Sequence, residues 1–233
     1  MPAWARQRRP PHAARSTVRL ILASASPRRQ TLIGLLGLDW RAAPSALDED
    51  LFLLGDPFVS ALNVALAKAR TTTTDYADVV VAADTIVASD GQSLGKPADA
   101  TTAAAMLLGL RGRAHEVLTG VALRTSDGRE WGAVVSTRVI MRSYAETEIA
   151  AYVARGEPFD KAGGYAVQDT EFRPVERCEG CYLNVVGLPL CAVAAGLAAL
   201  KVAVEPARQP PCRYCVAGAP LVEIAQDPER SIY

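Results

Sequence analysis

Five short stretches of the chain gather the side chains that phosphate and water chemistry need. Arg28 and Arg29 stand side by side, Asp48, Glu49 and Asp50 form an acidic cluster, and Asp84 with Thr85 closes an apolar run. Lys96 lies in Gly95-Lys96-Pro97, and Lys161 in Asp160-Lys161-Ala162-Gly163-Gly164. Cations offset phosphate charge, and arginine does so with a planar fork that matches two oxygens. Carboxylates hold a hard divalent ion through oxygen, or take a proton from water. A metal so held polarises phosphoryl oxygens, and the whole set suits hydrolysis of a triphosphate. Spacing alone leaves plainer roles open: Arg28, Arg29 and Lys68 as solvated helix residues, Asp84 as a strand cap, Lys96 as turn chemistry before Pro97.

Other chemistries find no foothold. There is no G-x-x-x-x-G-K-[ST] loop, no G-x-G-x-x-G after a strand and no serine-hydrolase elbow. His12 and His115 are the only histidines, which argues against a histidine triad or a multi-histidine zinc site. His115 is suited either to a backbone hydrogen bond or to orienting a neighbour. Cys178-x-x-Cys181 and Cys212-x-x-Cys215 have the internal spacing of a four-sulfur structural zinc site, although the gap between the pairs exceeds that of a zinc ribbon. Such a site would pin the C-terminal tail to the body.

The elements that position these residues follow from local patterns. Val18 to Ala23 is a continuous apolar run and predicts a buried strand. Ser26-Pro27 then supplies an N-cap and a proline at the first helical position, with Leu32, Ile33, Leu35 and Leu36 following and Gly37 as the stop. Arg28 and Arg29 therefore sit at a strand-to-helix turn, where free amides and the helix dipole favour phosphate. A second helix is expected from Asp56-Pro57 to about Arg70, and a buried strand from Val79 to Ala83 that ends at Asp84-Thr85. Asp90-Gly91 signals a hairpin, and Asp99 caps an alanine-rich helix that ends near Gly109.

Two strands should follow, about Glu116 to Arg124 and Trp131 to Met141, joined at Asp127-Gly128. Helices are expected at Glu146 to Ala154 and at about Pro189 to Lys201, and the tail after Glu205 reads as irregular. Strands mixed with helices and joined by hairpins indicate an α/β protein with a mixed, twisted sheet and flanking helices.

With 25 basic and 25 acidic residues, the chain lacks the excess charge that coats nucleic acid. The longest uncharged apolar stretch, Val185 to Leu200, is interrupted by Gly187 and Pro189 and falls short of the roughly 20 residues of a membrane helix. Residues 1–17 carry four arginines and no apolar signal run, and are expected to be a disordered extension of a cytoplasmic protein. One body is expected from residue 18 to 201, followed by a tail from 202 to 233.

In order along the chain, these segments resemble the Maf family. The resemblance begins at Ser24-Ala25-Ser26-Pro27-Arg28-Arg29 and continues through Asp48-Glu49, Ala65-Leu66-Ala67-Lys68-Ala69 and Ala83-Asp84-Thr85. It then takes in Gly95-Lys96-Pro97, Gly112-Arg113-Ala114-His115, Asp160-Lys161-Ala162-Gly163, Tyr165-Ala166-Val167-Gln168 and Asn184-Val185-Val186-Gly187-Leu188-Pro189.

The resemblance implies a two-lobed α/β fold like that of inosine-triphosphate pyrophosphatases, with a cleft between the lobes. It further implies a homodimer, a magnesium or manganese ion, and cleavage of a nucleoside triphosphate between its α and β phosphates. Asp84 matches the family's general base and Glu49 a catalytic or metal-associated carboxylate, so both are candidate metal ligands. Arg28, Arg29, Lys68, Lys96 and Lys161 match cations around the phosphates. Arg28, Thr85 and Gln168 resemble the branch acting on dTTP and UTP, rather than the one preferring 7-methyl-GTP. A glutamine amide offers both donor and acceptor to a pyrimidine edge, and modified pyrimidines present the same pattern. The family's historical association with septum formation leaves a second role, as a division regulator acting by binding. Three departures stand out: Ala82 where glycine is usual, Gly164 and Ala166 exchanged, and Asp169 in place of a glycine. Asp169 puts a carboxylate beside Gln168, suited to repelling a triphosphate or binding another metal.

Overall fold

The computed structural model describes residues 18–52, 55–75, 78–202 and 222–223. The chain runs β1 (Arg19–Leu22), α1 (Pro27–Gly34), β2 (Trp40–Ala42), α2 (Pro57–Thr71), β3 (Asp78–Ser89), β4 (Gln92–Leu94) and α3 (Ala100–Leu110). It continues through β5 (Ala114–Thr125), β6 (Glu130–Met141), α4 (Glu146–Ala154), β7 (Val175–Glu179), α5 (Tyr182–Val186), α6 (Leu190–Ala199) and β8 (Val222–Glu223). The strands form one mixed sheet in the order β2-β1-β3-β5-β6-β7, with β4 added to β3 and β8 to β6. β1 is parallel to both its neighbours, and the other pairings are antiparallel. The mixed α/β architecture read from the sequence is thus the one observed.

The helix starts obey the capping chemistry that the sequence shows. Asp56 accepts hydrogen bonds from the amides of Phe58 and Val59 with Pro57 at the first position, and Asp99 accepts from Thr102 at 2.7 Å. Each carboxylate satisfies donors that the helix itself leaves unpaired. Between β3 and β4 the two-residue turn Asp90-Gly91 has both φ angles positive, 52° and 76°, the geometry that matches strand twist in a tight hairpin.

Three apolar clusters divide the molecule. One lies between the sheet and α1 and α6, a second under α2 on the opposite face, and a third around α3 and α4 at the far end of β3, β5 and β6. The long strands cross from the first two clusters into the third. α2 lies almost directly on β5, because a Cβ at Gly120 would stand 2.1 Å from the Ala61 carbonyl oxygen. That close approach sets the height of every side chain α2 aims at the sheet.

Two expectations are corrected. β3 does not end at Ala83: it continues through Asp84 and Thr85 to Ser89, because β5 pairs with it from Val79 to Ala88. The polar pair interrupts the apolar pattern without interrupting the backbone. The tail is also not wholly irregular, since Val222–Glu223 pairs with β6 at Ala133 and Val134. β7 covers only Arg138 to Met141 of that edge, and the short strand occupies a stretch left open further along it. Residues 1–17 lie outside the described residues.

Candidate active site

Alternation along β3 decides how the site is built. Val80, Ala82 and Ile86 point to the α2 cluster, whereas Val79, Val81 and Ala83 point to the α1 and α6 cluster. Asp84 shares the first parity and Thr85 the second. Ala82, fully buried, fills the α2 side with its methyl group.

On the α2 side, Lys68 Nζ lies 2.9 Å from Asp84 Oδ1 and 2.9 Å from Glu49 Oε1. Glu49 comes from a 3-10 turn, Glu49–Phe52. Lys68 is only 6% exposed, so it is neither a solvated helix residue nor a cation open to the cleft mouth. Its charge is set between two carboxylates that would otherwise repel one another. Asp84 is buried and Glu49 half exposed, which leaves the acidic pair open to the cleft from Glu49's side.

On the opposite side, Arg29 donates from Nε to the Gly187 carbonyl at 2.8 Å and from an Nη to Thr85 Oγ1 at 3.0 Å. Burial holds its pKa below the usual guanidinium value, opposed by Asp84 and Glu49, and the group stays a cation at neutral pH. Thr85 and Thr119 share a hydrogen bond of 3.0 Å, and Thr119 also reaches the Asn184 carbonyl at 3.0 Å. Asn184, fully buried, donates to the Val117 carbonyl and to Thr137. This network ties α1, β3, β5, β6 and α5 together behind the cleft. Thr119 escaped the sequence reading, and Asn184 entered it only as the first residue of a Maf-like segment, with no role attached.

Across the opening, Arg28 meets Asp160 at 3.2 Å, and the same carboxylate binds Lys161. Lys161 also donates to the Glu157 carbonyl. Lys96 is exposed, and among the described residues it makes no hydrogen bond or ion pair. Gln168 is exposed on the loop after the 3-10 turn Ala162–Gly164. All the expected site residues, Arg28, Arg29, Glu49, Lys68, Asp84, Thr85, Lys96, Lys161 and Gln168, line one cleft of about 400 Å³. Its apolar wall includes Val87, Val117, Tyr165 and Val185.

His115 stands behind that wall. Its Nε2 lies 2.6 Å from the Tyr165 hydroxyl, and burial pushes its pKa down to about 4. A side chain so placed is neutral at physiological pH and supports Tyr165.

The model of the Maf-like protein family matches residues 19–200. The chain belongs to the Maf family. A dTTP/UTP pyrophosphatase from Thermomicrobium roseum is 49% identical over 176 residues, covering 73% of this chain and 79% of the relative. The dTTP/UTP pyrophosphatase of Syntrophomonas wolfei is 45% identical over 175 residues, covering 74% of this chain and 92% of its own. That of Anaeromyxobacter dehalogenans is 46% identical over 180 residues, with 76% and 91% covered.

Of the departures from the Maf pattern, Ala166 lines the cleft and Asp169 stands just outside it. Its carboxylate neither lines the cleft nor stands free, because Arg155 and two backbone amides hold it. It is thereby unavailable either to repel a triphosphate or to bind a second metal.

Among the described residues, no three histidine, cysteine, aspartate or glutamate side chains gather as a metal cluster. A divalent ion bound to a nucleotide needs less, since one or two carboxylates plus substrate phosphates suffice for magnesium. Glu49 and Asp84 fit that requirement, each engaging Lys68 through one oxygen. For the zinc set, Cys212 and Cys215 lie outside the described residues. Cys178 and Cys181 pack against different apolar clusters, and burial raises the Cys178 pKa.

Proposed function

We propose that this Maf protein hydrolyses dTTP and UTP to the monophosphate and pyrophosphate, with a divalent metal ion. The observation that carries the proposal is the Asp84–Lys68–Glu49 bridge at one side of a cleft whose other walls carry Arg28, Lys96 and Lys161. The names of its relatives supply the substrate class.

Glu49 and Asp84 would hold magnesium or manganese, which when bound polarises phosphoryl oxygens and offsets their charge. Asp84 takes a proton from water at Oδ2, the oxygen not bonded to Lys68, as the water oxygen bonds to the α phosphorus. The bond from that phosphorus to the bridging oxygen breaks, and pyrophosphate leaves with the electron pair. Arg28, Lys96 and Lys161 hold the departing charge, and Arg28 and Lys161 exchange Asp160 for phosphate oxygens as substrate enters. Lys68 bridges the two carboxylates and holds them in place. Arg29, which also lines the cleft, fixes Thr85, and Thr85 with Gln168 reads the base edge. The same proposal includes a homodimer in the cytoplasm. No helix among the described residues is long and apolar enough to cross a membrane.

The test is pyrophosphate release from canonical and modified triphosphates, with magnesium, manganese or chelator, for wild type and Asp84→Asn. Release from dTTP and UTP that needs the metal and falls at least about 100-fold in the variant supports the proposal. Release from 7-methyl-GTP alone overturns the base assignment. No release from any triphosphate by folded protein favours a binding role in septation.

A further inference from the structure

The loop that carries Gln168 is held by side chains that do not themselves line the cleft. Ala166 donates its amide to the Tyr152 hydroxyl at 3.1 Å, and the Phe172 ring stacks on Tyr152 with centroids 4.5 Å apart. Between these two anchors Asp169 organises the backbone. Its Oδ1 accepts from the amides of Glu171 at 3.1 Å and Phe172 at 2.7 Å, its own amide bonds to the Ala166 carbonyl, and its carbonyl accepts from Arg173. Its Oδ2 pairs with Arg155.

Arg155, at the C-terminal end of α4, also reaches Glu171, and its guanidinium lies 5.2 Å from the centre of the Tyr152 ring. Tyr152 and Arg155 are three positions apart on α4 and share one face. α4 therefore presents a template, one aromatic ring and one cation, on which residues 166–172 are laid. The Asp169 side chain is 9% exposed, so this ion pair is screened far less than a surface pair. Gln168, its neighbour in the chain, makes no such bond among the described residues; it is exposed and lines the cleft.

We propose that the Arg155–Asp169 pair is a positioning device that sets where the Gln168 amide stands, and so sets the cleft's discrimination among bases. The inference rests on Gln168 as a base-reading residue. Asp169 and Arg155 do not touch substrate. Their effect passes through the loop: with the pair intact, Gln168 meets the base without first being ordered, and binding does not bear that cost.

The experiment measures kcat and KM for UTP, CTP and ATP in the full-length protein, for wild type, Asp169→Asn, Arg155→Lys, Gln168→Ala and the double variant Gln168→Ala/Asp169→Asn. Asp169→Asn keeps an Oδ1 acceptor for the two amides and loses the negative charge that faces Arg155. It is expected to lower the UTP-over-CTP ratio of kcat/KM by about tenfold, chiefly through a rise in KM for UTP. Arg155→Lys keeps the charge without the fork and should fall between wild type and Asp169→Asn. In the Gln168→Ala background, Asp169→Asn should change the ratio no further.

Equal losses on all three triphosphates in both single variants, or ratio losses that multiply in the double variant, overturn the proposal. If Gln168→Ala collapses the ratio and Asp169→Asn leaves it intact, the positioning role alone fails. If Gln168→Ala itself leaves the ratio unchanged in active enzyme, the base-reading assignment fails and takes this inference with it. A folding defect lowers every substrate together and is read separately from thermal unfolding.

Discussion

Asp84 and Thr85 are adjacent on β3, yet one bonds Lys68 on α2 and the other bonds Arg29 on α1. The pleat sends consecutive side chains to opposite faces, so a single dipeptide feeds both a carboxylate centre and a hydrogen-bonded wall of the cleft. A one-residue slip of β3 against β5 would exchange the two roles, and ten paired positions from Val79 to Ala88 guard against it.

Lys68 tests the first face. Replacing it by methionine keeps the volume and removes the charge that separates Asp84 from Glu49. Breaking a buried ion pair by deleting one partner costs roughly 3–5 kcal/mol, and the half-exposed Glu49 puts this case near the lower end. Urea unfolding should show a loss of about 3 kcal/mol, together with at least tenfold lower pyrophosphate release. Unchanged stability would mean that the bridge is not formed in solution.

Lys96 should behave in the opposite way. It is exposed and has no partner among the described residues, so Lys96→Ala leaves the folded state without an orphaned group. The melting temperature is expected to stay within about 1–2 °C of wild type, as for surface changes worth under about 0.5 kcal/mol. KM for the triphosphate is expected to rise about tenfold, and to depend less on salt, because one charge contact to phosphate is gone. A fall in stability with no change in KM would move Lys96 out of the phosphate site.

Much of this was legible in the sequence because it is local. Ser26-Pro27, Asp56-Pro57, Asp90-Gly91 and Asp99 announce their own caps and turn, and the structure uses each of them so. The extent of β3 was not legible: Asp84-Thr85 looks like an ending, and only pairing with a strand some 35 residues later carries it on. Lys68 shows the same limit. Its helical position fits a solvated face, and its burial depends on Gly120 letting α2 settle onto β5. Thr119 and Asn184 carry no spacing signal for these bonds, since their partners are spread over β3, β5, β6 and α5.

Gly120 supplies a prediction about the fold alone. A methyl group there would meet the Ala61 backbone carbonyl at 2.1 Å, and backbone cannot swing aside as a side chain can. Gly120→Ala is expected to cost at least about 3 kcal/mol, the upper range for overpacking. Because α2 must lift to make room, pyrophosphate release should fall as well, through displacement of Lys68. Calorimetry and release assays on the same sample check both. A stable variant with intact release would show that α2 stands further from β5.

His115 ties stability to pH. Burial lowers its pKa to about 4 in the folded chain, against about 6.5 unfolded. Between these values the unfolded chain binds the extra proton, so stability rises with pH. The proton-linked penalty is therefore absent above about pH 7, and stability is lost as pH falls from about 6.5 towards 4. The full loss is roughly 3 kcal/mol, and about 2–3 kcal/mol of it should be present at pH 4.5. Carboxylates contribute to the same acid limb, so the measurement is a difference: urea unfolding at pH 7.5 and 4.5 for wild type and His115→Gln. The variant, which carries no titrating ring behind Tyr165, should lose less stability by that amount. Equal losses in the two proteins would mean that His115 takes up its proton in the folded state, and that the Tyr165 wall admits water.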